Sequence, residues 1–356
     1  MDKIEPTIKD VAKLANVSIG TVDRVLHNRG RVSFENIERV KEAVKKLDYR
    51  PSMIARALVA KKSTLKIGLT YPLVETEFWS EIDAGIQLAK SELLPFGVNL
   101  IVGHHTSYSL EEQVASIKGL VEQGINGLVL APSGNDPFLE KLSKEIPIAT
   151  VIDDISATGK AFHVGPDDRR IGRLAAKLVA LYIKSSGKIA VFRPYYTTDG
   201  IHVRVEGFLE KVRQDYPEIH IAEALTIKGA EERDYYLDAY AKTLDVIKDN
   251  PDLKAIYIAN GLTEWVAKAV EDSGKTGQII VIGHEYTSGV KHFLESGIIG
   301  ATIYQNPAQQ FYLACKLLYE IIIGNHLPDG RNIVTNCDII MDETVPFSHF
   351  GGMEYF

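Results

Sequence analysis

Arg24 carries a planar fork of donors that can bond twice to a guanine edge, worth about 1–3 kcal/mol of discrimination between bases, or can contact a phosphate or stand as a solvated charge. Thr7, Ser18, Thr21 and Asn28 offer hydroxyls and an amide to phosphates, although helix capping accounts for Ser18 equally well. This is recognition chemistry. The patterns that could support a reaction lack their context. Gly274-Lys275-Thr276 ends like a phosphate loop, but Ala269 stands at the first required glycine and the preceding strand is badly placed. Ser185-Ser186-Gly187-Lys188 contains an S-x-x-K spacing at a helix-to-strand turn, where a C-terminal glycine cap is the simpler reading. His104-His105 ends a strand, where adjacent side chains point apart, which disfavours a shared metal. No Ser/His/Asp set has supporting context and no zinc spacing exists. An enzyme, a metal site and a bound cofactor are therefore not expected.

The residues around Arg24 need short helices to hold them. Thr7 and Asp10 fit a capping box, and Ile8, Val11, Ala12 and Ala15 recur at helical spacing. Asn16 tolerates the left-handed turn that ends this helix. Ser18 can cap a second helix with Val22, Val25 and Leu26 inside, ended by Asn28-Arg29-Gly30. Ser33 can cap a third, with Ile37, Val40, Val44 and Leu47 inside. Two short helices joined by a tight turn, closed by a third, make a helix-turn-helix unit whose second helix enters the major groove. Pro51–Leu58 follows as a hinge. Pro51 turns Arg50 away from helix, and a helix of about two turns starting at Ser52 is marginal alone. It should form only when two copies pack together on DNA.

Charge divides the chain. Residues 1–62 hold 14 Lys and Arg against 8 Asp and Glu, about +6, while the remainder holds 26 against 39, about −13. A basic head on an acidic body suits nucleic-acid binding through one end. Hydrophobic residues make up 45% and charged residues 24%, as in soluble globular proteins. There is no long apolar run, signal peptide or lipidation motif, so a cytoplasmic protein with no membrane contact is expected. Cys315 and Cys337 lie among apolar residues and read as buried thiols.

From Lys66 onward short apolar runs alternate with amphipathic stretches. Strands are expected at residues 66–71, 99–102, 127–131, 148–152, 189–192, 255–259, 279–283 and 301–304. Helices are expected at 78–94, 110–123, 171–183, 233–247 and 310–323. That alternation implies parallel sheets covered by helices, and its length suits two lobes with a ligand site in the cleft between them.

Asp10-Val11-Ala12, Ala15, Val17-Ser18, Thr21-Val22, Arg24-Val25, Val32-Ser33, Leu47, Tyr49 and Pro51 together resemble the lactose/galactose-repressor family of bacterial transcription factors. The segments EFWSEIDAG, TVIDD, VGPDDRRIG, VRVEGF, IYIANG, VIGHEYT and ATIYQNP are similar to the periplasmic sugar-binding-protein fold, closest to its ribose-type branch. The resemblance implies an all-α helix-turn-helix head on an α/β, periplasmic-binding-protein-like body of two doubly wound parallel-sheet lobes. The head is expected at residues 1–50, the hinge helix and linker at 51–65, the body at 66–345 and a tail at 346–356. Within the body, one lobe takes about 66–165 and 307–335, and the other about 166–306 and 336–345.

The resemblance makes Ile19, Gly20 and Arg24 base-reading positions. It places Ala55 and Leu58 in the minor groove, Leu58 as a wedge that kinks the duplex. Asp23 departs from the family, which most often has serine there. It can pair with a nearby cation or accept from a cytosine amino group. In the cleft the resemblance implies stacking of a sugar ring on Phe78 and Trp79, with lobe core as the other reading of Trp79. Asp153, Arg204, Asn260, Glu285 and Gln305 match its polar positions. Arg204 suits a bidentate clamp, or an ion pair with Glu206 or Asp199. Asp154 stands where the ribose branch has arginine and Glu285 where it has aspartate, with Glu75 nearby. An acidic cleft disfavours phosphorylated or carboxylated ligands and leaves neutral sugars, polyols or a ligand with an amine. The partners implied are double-stranded operator DNA, a small-molecule effector of sugar type, and a second copy of the chain. The copies would meet on the lobe nearer the hinge, around Ile82–Leu93 and Val114–Ile117, residues that core packing also explains.

Overall fold

Thr7 opens the first helix, α1 (Ile8–Ala15), by donating its backbone N–H and its hydroxyl to Asp10 at 2.8 and 2.7 Å. Asn16 ends α1 in the left-handed region, at φ 51 and ψ 49. Ser18 accepts the Thr21 N–H at 3.1 Å at the start of α2 (Ile19–Leu26), and α3 (Phe34–Leu47) closes the head. Val11, Ala12, Ala15, Val22, Val40 and Ala43 form its buried core. Ile37, expected inside, is half-buried and outside that core. Ala43 shares a helix face with Val40 and Leu47 and takes the inner position instead.

The computed structural model describes residues 6–26, 30, 32–47, 64–72, 77–103, 105, 109–155, 159–194, 199–228, 232–325 and 332–347. The expected hinge helix with Ala55 and Leu58, and also Asn28, Glu75 and His104, lie outside the described residues.

The body holds two sheets. The first joins β1 (Leu65–Thr70), β2 (Val98–Gly103), β3 (Gly127–Leu130), β4 (Ile148–Val151), β5 (Phe162–Gly165) and β11 (Asn332–Val334), in the order β11-β5-β4-β3-β1-β2. The second joins β6 (Gly187–Pro194), β7 (Ile219–Ile227), β8 (Leu253–Ile258), β9 (Ile280–His284), β10 (Ile299–Tyr304) and β12 (Asp338–Ile340), in the order β12-β10-β9-β8-β6-β7. The two orders are equivalent, and each is doubly wound. Their central strands are buried on both faces, which is why the sequence reads as apolar runs rather than alternation. One pairing departs from the all-parallel expectation: β12 runs antiparallel to β10 at the sheet edge, where no helix crossover is needed. Strand β7 is buried only at its two ends, Ile219 and Ile227, and is otherwise half-buried or exposed, as an edge strand can be.

The helices are α4 (Glu77–Leu93), α5 (Leu110–Glu122), α6 (Pro137–Leu142), α7 (Asp168–Tyr182), α8 (Asp199–Asp215), α9 (Glu232–Asp249), α10 (Thr263–Asp272), α11 (Ser288–Glu295) and α12 (Pro307–Ile322). The chain enters the second lobe after β5, returns to the first with α12, which packs on α4, and crosses once more between β11 and β12. The surface expected to face a second copy is largely taken up within the first lobe. Ile82, Ile86, Ala89 and Leu93 on α4 are buried against α12 and the sheet, and Ile117 on α5 is buried below its own strand layer. Gly187 begins β6 rather than capping α7. The left-handed positions after α7 are Lys184 and Ser185, at φ 55 and 58. Cys315 is buried and Cys337 half-buried, both free thiols pushed up to about 12 by burial.

Candidate functional site

Helix α2 presents its outer face with little to hold it back. Ile19 is 46% exposed, and Gly20 and Arg24 are exposed as well. Arg24 folds back to donate from Nε to the Gly20 carbonyl at 3.0 Å, so its two terminal nitrogens stay available to a partner. Ser18 is engaged as a cap, with Thr21 Oγ1 2.9 Å from its hydroxyl, and Thr7 is engaged with Asp10. Asp23 is half-buried beside them. The apolar face of α2 is buried against α1 and α3, so the exposed face is rigidly aimed.

The cleft is built at the carboxyl ends of the strands, where doubly wound sheets bind ligands. Three non-glycine residues there have positive φ: Ile152 after β4 at 66, Glu285 after β9 at 65, and Asn306 after β10 at 52. At Ile152, Asp153 N–H donates to the Val151 carbonyl at 2.7 Å, closing a γ-turn around a β-branched residue. Such backbone costs about 1–3 kcal/mol each and persists only where its surroundings hold it.

Arg204, on α8, is 5% exposed. Its Nε and Nη2 donate to Asp168 Oδ1 at 2.9 and 2.7 Å, and Nη1 donates to the Ala259 carbonyl at 2.9 Å. Helices α7 and α8 cross closely enough for this pair because Gly172 and Gly207 have no side chains. A Cβ on Gly172 would lie 1.8 Å from the Arg204 carbonyl oxygen, and one on Gly207 2.3 Å from that of Arg169. Burial opposes the charge of Arg204, but Asp168, with Tyr257 and Glu285 adding to it, raises the guanidinium further. Nη1 lies 3.4 Å from His284 Nδ1, and His284 Nε2 lies 3.1 Å from the Tyr257 hydroxyl. Arginine can only donate, so Nδ1 accepts and the ring proton sits on Nε2. Burial, then Arg204, hold His284 well below its ordinary range, so it is a neutral strut.

Glu285 is 7% and Gln305 5% exposed, and Gln305 Nε2 donates to Glu285 Oε1 at 2.6 Å. Among the described residues, Glu285 Oε2 and Gln305 Oε1 are buried without a hydrogen-bond partner. Burial pushes Glu285 up to about 8; Arg204 and Gln305 pull against this, while Glu81 and Asp153 add to it. Asp153 reaches the second lobe: a Cβ on Gly200 would lie 2.8 Å from its Oδ1 and 2.6 Å from Asp168 Oδ2. Asn260 is buried beside Arg204's carbonyl acceptor Ala259, with Oδ1 3.5 Å from the Leu262 nitrogen.

The other expected cleft residues fall differently. Trp79 stacks on Tyr71 at 6.0 Å and belongs to the first lobe's core, with Phe78 edge-on at 5.0 Å and half-buried. Asp154 is engaged in its own loop, taking Lys160 Nζ at 2.8 Å, the Ile155 N–H at 2.8 Å and the Thr150 hydroxyl at 3.0 Å. It therefore adds no free charge to the cleft. The partner of Arg204 is Asp168 rather than Glu206 or Asp199, and Glu206 pairs with Arg169.

Sequence reasoning missed the residues that join the lobes. Tyr304 donates its hydroxyl to Glu81 Oε2 at 2.7 Å, and burial pushes Glu81 up to about 7. Glu77 accepts the backbone N–H of Ser288 at 2.7 Å and its hydroxyl as well. Gln310, fully buried, accepts from Ile152 N–H at 3.0 Å and donates to the Gln305 carbonyl at 2.9 Å, tying the ends of β4 and β10. Only the four-residue spacing of Glu77 and Glu81 on one helix face could have suggested a shared role.

Comparison with known proteins now identifies the scaffold. Residues 7–52 match the family model of bacterial regulatory proteins, lacI family, and residues 67–326 match that of a periplasmic binding protein domain. The chain is 32% identical over 323 residues to the ribose operon repressor of Bacillus subtilis strain 168, covering 89% of this chain and 91% of that protein. It is 35% identical over 146 residues to the HTH-type transcriptional regulator RegA of Clostridium acetobutylicum, covering 41% of this chain and 42% of that one. The fold is also that of GanP, a glucose-galactose binding protein from Geobacillus stearothermophilus. The TM-score is 0.71 at 24% identity, over 80% of this chain and 99% of the other. Among the described residues no helix is long and apolar enough to cross a membrane. A helix-turn-helix head on a two-lobed binding body, matched over nearly its whole length by a known repressor, means that the chain belongs to the lacI family of bacterial DNA-binding transcriptional regulators.

Proposed function

We propose that this regulator is a cytoplasmic repressor, active as a homodimer, whose operator affinity is set by a sugar or sugar derivative held between its lobes. The observation that carries the effector is the buried set Arg204, Glu285 and Gln305, with half-buried Asp168 on Arg204 and two acceptor oxygens left unpaired among the described residues. Buried polar atoms without partners are rare in native proteins and cost about 1–3 kcal/mol each, which a polyhydroxylated ligand would offset. Relatives named as ribose operon repressors and a sucrose operon repressor point the same way. Residues 1–50 act as the DNA-binding head, 51–65 as hinge and linker, and 66–345 as sensor. Ile19, Gly20 and Arg24 read bases, and Ala55 and Leu58 enter the minor groove. Each head takes half of a pseudo-palindromic site.

Ligand shifts the balance between two arrangements of the lobes, and a coupling of about 1–3 kcal/mol to DNA affinity is enough to switch. The test has two stages. An operator is first selected from a random duplex pool. The selected duplex is then titrated with protein, with and without each of a panel of sugars, sugar phosphates and polyols. Release or tightening by a sugar supports the reading. DNA binding indifferent to every small molecule would move the body to a dimerisation scaffold under a protein partner.

A further inference from the structure

The charge balance of the cleft is one-sided. Glu285 is opposed by Glu81 and Asp153, and the cation acting on it is Arg204. Asp168 already holds that guanidinium through two hydrogen bonds, so the pair is close to neutral toward anything else. His284 is neutral, for the reasons given above. Residues 73–76 and 195–198 contain no Lys or Arg. A carboxylate or phosphate on the ligand would therefore meet Glu285, Glu81 and Asp153, while Arg204 is already held by Asp168.

The unpaired atoms sharpen this. Glu285 Oε2 and Gln305 Oε1 both belong to side chains more than nine-tenths buried, and they sit on two residues already bonded to each other. Both are acceptors. What is missing is a group with several donors and a positive charge, and an ammonium offers three N–H donors and no acceptor. A sugar hydroxyl supplies one donor and brings no charge to the acids gathered around Glu285.

We propose that the effector carries a protonated amine, as an amino sugar does, and that this amine donates to Glu285 Oε2 and Gln305 Oε1. The proposal rests on the reading of the cleft as a sugar site. Burial, which disfavours the ionised form of Glu285, would be offset by the ammonium, so the carboxylate would ionise when the ligand binds.

The test is calorimetric titration of the full chain with D-glucosamine, D-galactosamine and D-mannosamine, each beside its parent hexose and its N-acetyl form. The N-acetyl sugars keep the substituent and remove the charge. At least one amino sugar should bind about tenfold or more tightly than both of its neutral counterparts, the size of one charge-assisted hydrogen bond. In Glu285→Gln that ratio should fall toward one. Neutral sugars binding as tightly as their amino forms would overturn the amine and leave the sugar reading intact. An unchanged ratio in Glu285→Gln would place the amine elsewhere and overturn the assignment. Failure of every sugar, charged or neutral, would remove both the sugar reading and this inference.

Discussion

Glu77 Oε2 accepts the backbone N–H of Ser288 at 2.7 Å, so a side chain of one lobe caps a helix of the other. The bond joins the first turn of α4 to the first residue of α11. A carboxylate is favoured at a helix amino end both as an acceptor and by the helix dipole.

Removing that cap should shift the lobes toward an open arrangement. Glu77→Ala is expected to cost the closed form about 0.5–2 kcal/mol and to weaken effector binding by roughly 2- to 30-fold. Solution scattering of the ligand-free variant should give a larger radius of gyration than the parent chain. An unchanged radius and unchanged affinity would mean the bond does not hold the lobes together.

Arg204 and Asp168 should behave as one unit. Arg204→Ala leaves the half-buried Asp168 carboxylate unpaired, and breaking a fully buried pair costs about 3–5 kcal/mol, so the variant should lose second-lobe stability by less than that, as well as any ligand response. Adding Asp168→Asn should restore part of that loss. A double-mutant cycle by urea unfolding reads the coupling, and purely additive losses would show that the pair is not energetically coupled.

Stability should fall as pH rises from about 4.5 to 8. Glu81 and Glu285 are raised to about 7 and about 8, chiefly by burial, from ordinary values of 4.5. Between the unfolded and folded values the native state holds protons that the unfolded chain has released. Their contribution is complete below pH 4.5 and lost as pH climbs through each folded value, by up to about 1.4 kcal/mol per pH unit per group. Urea unfolding at a series of pH values should show this slope, and Glu81→Gln with Glu285→Gln should flatten it. A flat profile in the parent chain would contradict the burial of these acids.

On the head, two substitutions should separate reading from folding. Arg24→Ala is expected to relax sequence choice and lower operator affinity by about 1–3 kcal/mol while leaving the melting of the head unchanged. Ser18→Ala should instead lower head stability by about 1 kcal/mol, because it removes the acceptor for the Thr21 N–H. Equal selectivity in Arg24→Ala would take away its base-reading role.

The head was legible almost residue by residue. Thr7 with Asp10, the left-handed Asn16 and Ser18 are local devices, set by interactions within four residues, and each stands where its neighbours in the chain require. The alternation of the body was legible too, because buried parallel strands are long apolar runs and their crossover helices are amphipathic. Not every strand was. β5, only four residues long, was missed although it pairs on both sides, β7 is mostly half-buried or exposed, and β12 has only three residues.

The cleft divides along the same line. The sequence could supply Arg204, Glu285 and Gln305 as candidates through the resemblance of their segments to the sugar-binding fold. It could not say that Arg204 is held by Asp168, that Asp154 is taken by Lys160, or that Trp79 belongs to the core. Nor could it pair Glu77 with Ser288 or Glu81 with Tyr304, contacts that span 211 and 223 positions. Local propensity, capping and periodicity are written in neighbouring residues and so survive in the sequence. Which charges neutralise each other, and which acceptors stay unpaired, depends on how two lobes fold their strand ends against one another, and only the tertiary structure decides that.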